Sequence, residues 1–174
     1  MARTSTGWTA LLLLVSAAGC GGLSEPGPRT EVVPELGFSF PAPAGARDVL
    51  HVAGEGPEGA PAAYLSTASL ARTGGPTCAA GATGAVSPYP LGRVLVAELL
   101  PDQAEVRSLL DPEESPGEPL VQLGSRWLYW LAPPGEPCTR DPDAARLQER
   151  QMALVKQALR SATPLAGGAR PSAG

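Results

Sequence analysis

The chain has 174 residues, with 17 acidic against 13 basic side chains and a formal net charge of −4. The basic residues are spread evenly along an acidic chain, which excludes a nucleic-acid surface and a polybasic membrane patch. The 21 glycines and 20 prolines approach the composition of disordered chains, but a hydrophobic fraction of 43% predicts a folded core with long Gly/Pro loops. There is no Ile or Asn and a single Lys, Lys156, which reads as the codon bias of a GC-rich genome rather than as function.

At the amino end Arg3 precedes the apolar run Trp8 to Ala18, which ends in Ala17-Ala18-Gly19-Cys20. A membrane-spanning helix needs roughly 20 apolar residues. A secretory signal needs an apolar stretch of about 7–15 with small residues at its end, and this run fits that description. The stretch Ala17 to Cys20 resembles the lipobox of bacterial lipoproteins. That resemblance implies cleavage before Cys20 and acylation of its thiol and new amino terminus. It also implies a permanent anchor in the cell envelope, on the outer membrane in a two-membrane bacterium because Gly21 follows the cysteine. An ordinary secretory signal with a chance cysteine is the alternative. Removal of residues 1–19 would leave roughly 155 residues, one domain's worth, with a net charge of roughly −5.

With Cys20 lipidated, Cys78 and Cys138 remain. In an exported protein they predict one disulfide closing a loop of about 60 residues, for roughly 4 kcal/mol by the chain-entropy estimate. Two free or redox-active thiols are the alternative, although no Cys-x-x-Cys pair exists.

Residues 21–30 (GGLSEPGPRT) form a Gly/Pro tether, about 17–19 Å root-mean-square if flexible, which would keep the body near the bilayer. A single domain is expected over residues 31–163, and a disordered tail over 164–174. Leu36 to Pro41 and Arg47 to Val52 predict short strands. A Gly/Glu/Pro loop covers 53–61, and Ala62 to Leu70 predicts a third strand. Residues 71–92 predict an irregular loop holding Cys78, with one possible helical turn at 78–81. Arg93 to Leu100 suits either strand or helix. Asp102 to Glu105 matches a capping box ahead of a short helix that presents Val106, Leu109 and Leu110 on one face and stops at Asp111-Pro112.

Leu120 to Gln122, a Leu-Gly-Ser turn, and Arg126 to Leu131 predict a hairpin. In its second strand Trp127, Tyr129 and Leu131 point one way and Leu128 and Trp130 the other, so that strand should be covered on both faces. The final helix starts with Asp141 as N-cap and Pro142 in the first helical position, and runs to about Ala162. Its buried stripe is Leu147, Gln151, Leu154, Val155, Ala158, Leu159 and Ala162, with Glu149, Arg150, Lys156 and Arg160 facing away. The order of elements predicts an α+β fold: an antiparallel sheet, a C-terminal amphipathic helix packed on one face, and one disulfide.

Candidate sites are few. Gly54-Glu55-Gly56-Pro57-Glu58-Gly59 matches G-x-G-x-x-G, but the phosphate-binding mechanism needs a helix opening there, and Pro57 and Pro61 forbid it. His51 is the sole histidine, so a multi-histidine zinc site is impossible, and no serine sits in G-x-S-x-G. A structural or exposed role fits it best. Asp111, Glu113, Glu114 and Glu118 form an acidic cluster that reads as a solvated loop, with weak calcium binding as the alternative. Trp127, Tyr129 and Trp130 are either core or a patch for a partner or an apolar ligand.

Leu36-Gly37-Phe38-Ser39-Phe40-Pro41-Ala42-Pro43-Ala44-Gly45 resembles the opening strand and turn of PsbP/Mog1-like domains. Trp127 to Trp130, Pro133, Cys138-Thr139, Asp141, Leu147-Gln148 and Gln151 resemble the end of small secreted bacterial proteins with an aromatic strand, a Cys-Ser/Thr loop and a final helix. The resemblance implies an α/β sandwich-like domain without known catalysis. The expectation is therefore a non-enzymatic, lipid-anchored envelope protein that binds or supports a partner, with no catalytic residue, cofactor or metal. The alternative is a small-molecule or lipid carrier with an apolar groove beside the aromatic strand.

Overall fold

The computed structural model describes residues 29–56, 59–85, 87–98 and 117–166. Cys20, most of the tether, the helix expected after Asp102, the acidic residues Asp111, Glu113 and Glu114, and the tail beyond residue 166 lie outside these. The described chain is α+β, as expected, but its strands form two antiparallel sheets rather than one.

The smaller sheet has the order β1-β2-β8, from β1 (Thr30–Val33), β2 (Phe38–Pro41) and β8 (Thr163–Pro164). Neither β1 nor β8 was expected. Thr30 falls in the predicted tether and Pro164 in the predicted tail, yet they pair with Pro41 and Phe38 on β2. Strands of four and two residues leave too little alternation to be read from sequence. Partners from opposite ends of the chain create them. Gly37, at φ +73°, makes the turn between β1 and β2, so the second strand starts at Phe38 and not at Leu36.

The larger sheet has the order β3-β4-β5-β7-β6. Its strands are β3 (Val49–Glu55), β4 (Pro61–Thr67), β5 (Arg93–Ala97), β6 (Glu118–Leu123) and β7 (Arg126–Leu131). β3 continues through Gly54 and Glu55, which composition assigned to a loop. The Tyr64 ring lies across Gly54, where any Cβ would collide with it, and the Tyr64 hydroxyl reaches the Glu55 backbone. The ambiguous Arg93 segment is a strand, held by Val94 and Leu95 against Ala63 and Ala62. The β6–β7 hairpin forms as predicted, turning at Gly124 (φ +68°), though β6 begins at Glu118. Pro119 sits in an edge strand beside a bulge, where a missing N–H costs little.

The third expected strand was too long. It ends at Thr67, and α1 (Ala68–Gly74) follows. Two side chains stop the strand and start the helix: Thr67 Oγ1 accepts from the Leu70 amide at 3.0 Å, and Asp48 accepts from the Ser69 amide at 2.6 Å. Asp48 is twenty-one positions upstream of Ser69, so no local pattern shows it. A single 3-10 turn at Pro76–Cys78 replaces the helical turn expected slightly later.

The long helix α2 (Pro142–Leu159) begins as read, with Asp141 accepting from the Asp143 and Ala144 amides. It ends three residues short of Ala162. Its buried stripe is Ala144, Gln148, Gln151, Val155 and Leu159. Leu154 was assigned to that stripe but is 40% exposed, and Gln148 takes a place the apolar pattern did not give it. The main core fills the space between α2, α1, the small sheet and one face of the large sheet, with Phe38, Phe40, Leu65, Leu70, Leu128, Trp130, Val155 and Leu159 at its centre. Ala62, Leu95, Tyr129 and Leu131 form a second cluster on the opposite face of the large sheet. Strand β7 is thus paired on both edges and buried on both faces, as its sequence predicted.

Candidate functional site

The cysteines of the body do what their count suggested. Cys78 and Cys138 form a disulfide with Cα atoms 5.1 Å apart, tying the 3-10 turn to the loop after β7. Gly74 lies against this bridge so closely that a Cβ would strike the Cys78 sulfur. Thr77 Oγ1 donates to the Cys138 carbonyl at 2.9 Å and Ser66 Oγ donates to the Cys78 carbonyl at 2.5 Å, so both cysteine backbones are anchored independently of the sulfur link.

Two buried glutamines of α2 extend the same bracing. The Gln148 side chain accepts from the Cys138 amide at 2.9 Å and donates to the Pro90 carbonyl at 2.7 Å. Gln151 accepts from Thr67 Oγ1 at 2.6 Å and donates to Ser69 Oγ at 2.8 Å and to the Gly45 carbonyl at 3.3 Å. A buried amide must satisfy both ends, and these do so by reaching three loops and the start of α1. Sequence reading placed Gln151 on the inner face but had no means of naming its partners.

Between the loop after β7 and α2 lies an open cleft of about 180 Å³, bordered by Pro133, Pro134, Pro137, Ala145, Glu149 and Met152. Cys138 and Gln148 fix the loop on one side of it. Typical small-molecule pockets run to roughly 300–1,000 Å³ and enclose most of their ligand. This cleft is smaller, and two acidic residues, Glu136 and Glu149, are among those that line it.

The aromatic triplet does not form one patch. Tyr129 is 1% exposed and belongs to the second cluster, while Trp130 is 7% exposed and belongs to the main core. Successive β positions face opposite sides, which separates them. Trp127 alone is half-buried, on the Tyr129 side, and its indole N–H has no hydrogen-bond partner among the described residues. The Trp130 indole donates to the Leu91 carbonyl at 3.4 Å. Over its ring sits the Lys156 ammonium, 4.3 Å from the centroid. Lys156 was read as facing away from the core. Instead it spans the edge of the core, because its ammonium lies over the Trp130 ring and also meets Glu118. Arg160 meets the same carboxylate at 2.7 Å. Glu118, one of the four acidic candidates, is therefore held by two cations from α2.

His51 Nε2 lies 3.4 Å from the Glu35 carboxylate without hydrogen-bond geometry. Gly54 of the glycine pattern is inside β3, and β4 rather than an α-helix follows Gly59, so among the described residues no α-helix opens there toward a phosphate. Among the described residues no three His, Cys, Asp or Glu side chains come together as metal ligands, and no helix is long and apolar enough to cross a membrane.

No protein-family model matches the chain, and neither the curated proteins nor the solved structures include a match.

Proposed function

We propose that the protein is a lipid-anchored component of the bacterial cell envelope, held through Cys20, whose body is a non-enzymatic domain that binds or supports a partner at the membrane surface. The single observation that supports this reading is the Cys78–Cys138 bridge in a chain with three cysteines. A structural disulfide suits an oxidising, exported compartment. It also leaves Cys20 as the one cysteine without a role in the body, at the end of a stretch that resembles a lipobox. The short segment between Cys20 and β1 would hold the domain against the bilayer.

Among the described residues the carrier alternative has a candidate seat in the cleft beside Met152. Its volume of about 180 Å³ is small for a lipid or a drug-sized ligand, so partner binding is the stronger reading.

Intact mass of the membrane-extracted protein tests the anchor. Loss of residues 1–19 with acyl mass on Cys20 is expected, and Cys20→Ala should leave the protein unacylated. Retention of residues 1–19 with an unmodified Cys20 would sink the reading. In-cell crosslinking then tests the binding role: a specific protein neighbour is expected, and its persistent absence counts against it.

A further inference from the structure

The outer rim of β3 has the chemistry of a pairing surface. β3 is an edge strand of seven residues, free of Pro and Lys. It carries two of the large exposed apolar side chains among the described residues, Leu50 at 45% and Val52 at 44%. Edge strands of this length are usually blunted by charge, proline or a bulge, because they offer a template for another chain.

The hydrogen-bond phase of this edge follows from its neighbour. Leu65 points its N–H and C=O toward β5, donating to the Gly92 carbonyl and accepting from the Leu91 amide, both at 3.0 Å. Leu65 is opposite His51. In an antiparallel ladder that makes them a non-hydrogen-bonded pair, so Val49, His51 and Ala53 direct their N–H and C=O groups outward. Among the described residues no backbone bond reaches those groups. The Tyr64 hydroxyl closes the rim at Glu55.

We propose that this edge pairs with a second copy of the chain, antiparallel, about a two-fold axis at His51. This register alone satisfies three conditions together. His51 bonds its own copy and Val49 bonds Ala53, matching the outward phase. Leu50 falls opposite Val52 of the other copy on the exposed face, twice, covering all four apolar side chains. Arg47 falls opposite Glu55 of the other copy, also twice. Both are exposed, and neither side chain has an ion-pair partner among the described residues. Moving the axis to Leu50 places Arg47 opposite Ala53, and moving it to Val52 places Leu50 opposite Gly54. Each shift loses the charge match and leaves only one of the two apolar residues facing an apolar partner, its own copy.

The test is sedimentation of the membrane-extracted full chain in detergent, with thermal melting as the folding control. The wild type is expected to dimerise reversibly with a Kd no weaker than ~1 mM, the weak end of the affinity scale, as a small interface would. Arg47→Glu or Glu55→Arg alone should weaken the dimer about tenfold, through like charges placed opposite each other. The two together should return it to near wild type, and Leu50→Arg should abolish it. All four variants lie on the surface and should melt like the wild type. A monomeric wild type, a dimer indifferent to Leu50→Arg, or a double charge reversal no better than the single changes would each overturn the proposal.

Discussion

Gln151 Oε1 accepts a 2.6 Å hydrogen bond from Thr67 Oγ1, joining the middle of α2 to the residue where β4 becomes α1. Thr67 Oγ1 has one proton and spends it on Gln151, while its lone pairs receive the Leu70 amide. One buried pair therefore sets both the start of α1 and the docking of α2.

Gln151→Leu keeps the volume of the side chain and removes its polar ends. It strands the buried Thr67 hydroxyl and removes the part-buried bonds to Ser69 Oγ and the Gly45 carbonyl. A loss of about 2–4 kcal/mol is expected, because each stranded buried group costs its desolvation. Urea unfolding with an unchanged slope would measure it. A loss below ~0.5 kcal/mol would show that water takes over these partners.

The Cys78–Cys138 link closes a loop with a sequence separation of 60. Paired Cys78→Ser and Cys138→Ser changes should cost about 3–4 kcal/mol, chiefly by freeing the unfolded chain. The backbone anchors at Ser66 and Thr77 remain, so the variant should keep native far-ultraviolet circular dichroism while its urea midpoint falls. An unchanged midpoint would remove the bridge from the account of stability.

Gly92 has φ +115°, and a Cβ there would strike the Trp130 indole nitrogen and lie 3.0 Å from the Leu131 carbonyl. Gly92→Ala should destabilise the fold by about 2 kcal/mol or more and disturb Trp fluorescence. Gly135→Ala is the control, since nothing lies within 4 Å of its Cβ position. Equal effects at the two sites would contradict the crowding argument.

Lys156 covers Trp130 and meets Glu118. Lys156→Met retains the stem and loses the charge, so it should cost only about 0.5–1 kcal/mol. Lys156→Ala should cost more, by uncovering the ring, and should red-shift and expose Trp130 fluorescence to quenchers. Identical costs for the two variants would assign the whole effect to charge.

Periodicity made the long elements legible. The Asp141-Pro142 start of α2, the inner positions Val155 and Leu159, the β6–β7 hairpin and the two-faced burial of Trp127 to Leu131 all follow from local chemistry and spacing. The short elements were hidden. β1, β8 and α1 exist because of partners far along the chain: Phe38 for Pro164, Asp48 for Ser69, Gln151 for Thr67. Arg93 to Ala97 was ambiguous for the same reason, since Val and Leu suit either element until neighbouring strands choose. Of the candidate site residues, the Cys78–Cys138 pairing followed from counting cysteines. The separation of Tyr129 from Trp130 followed from strand alternation.

By itself the sequence determined the α+β class, the disulfide, the start of the principal helix and the two-sided character of the aromatic strand. These rest on near-neighbour rules: alternation, capping and cysteine arithmetic. Only the tertiary structure decided that the strands divide into two sheets, that Gln148 faces inward and joins Gln151 in clamping distant loops, that Lys156 lies over Trp130, and that β3 stands at the edge of its sheet. Those outcomes depend on which distant groups meet, and a buried polar group declares its partner only once the chain has closed around it.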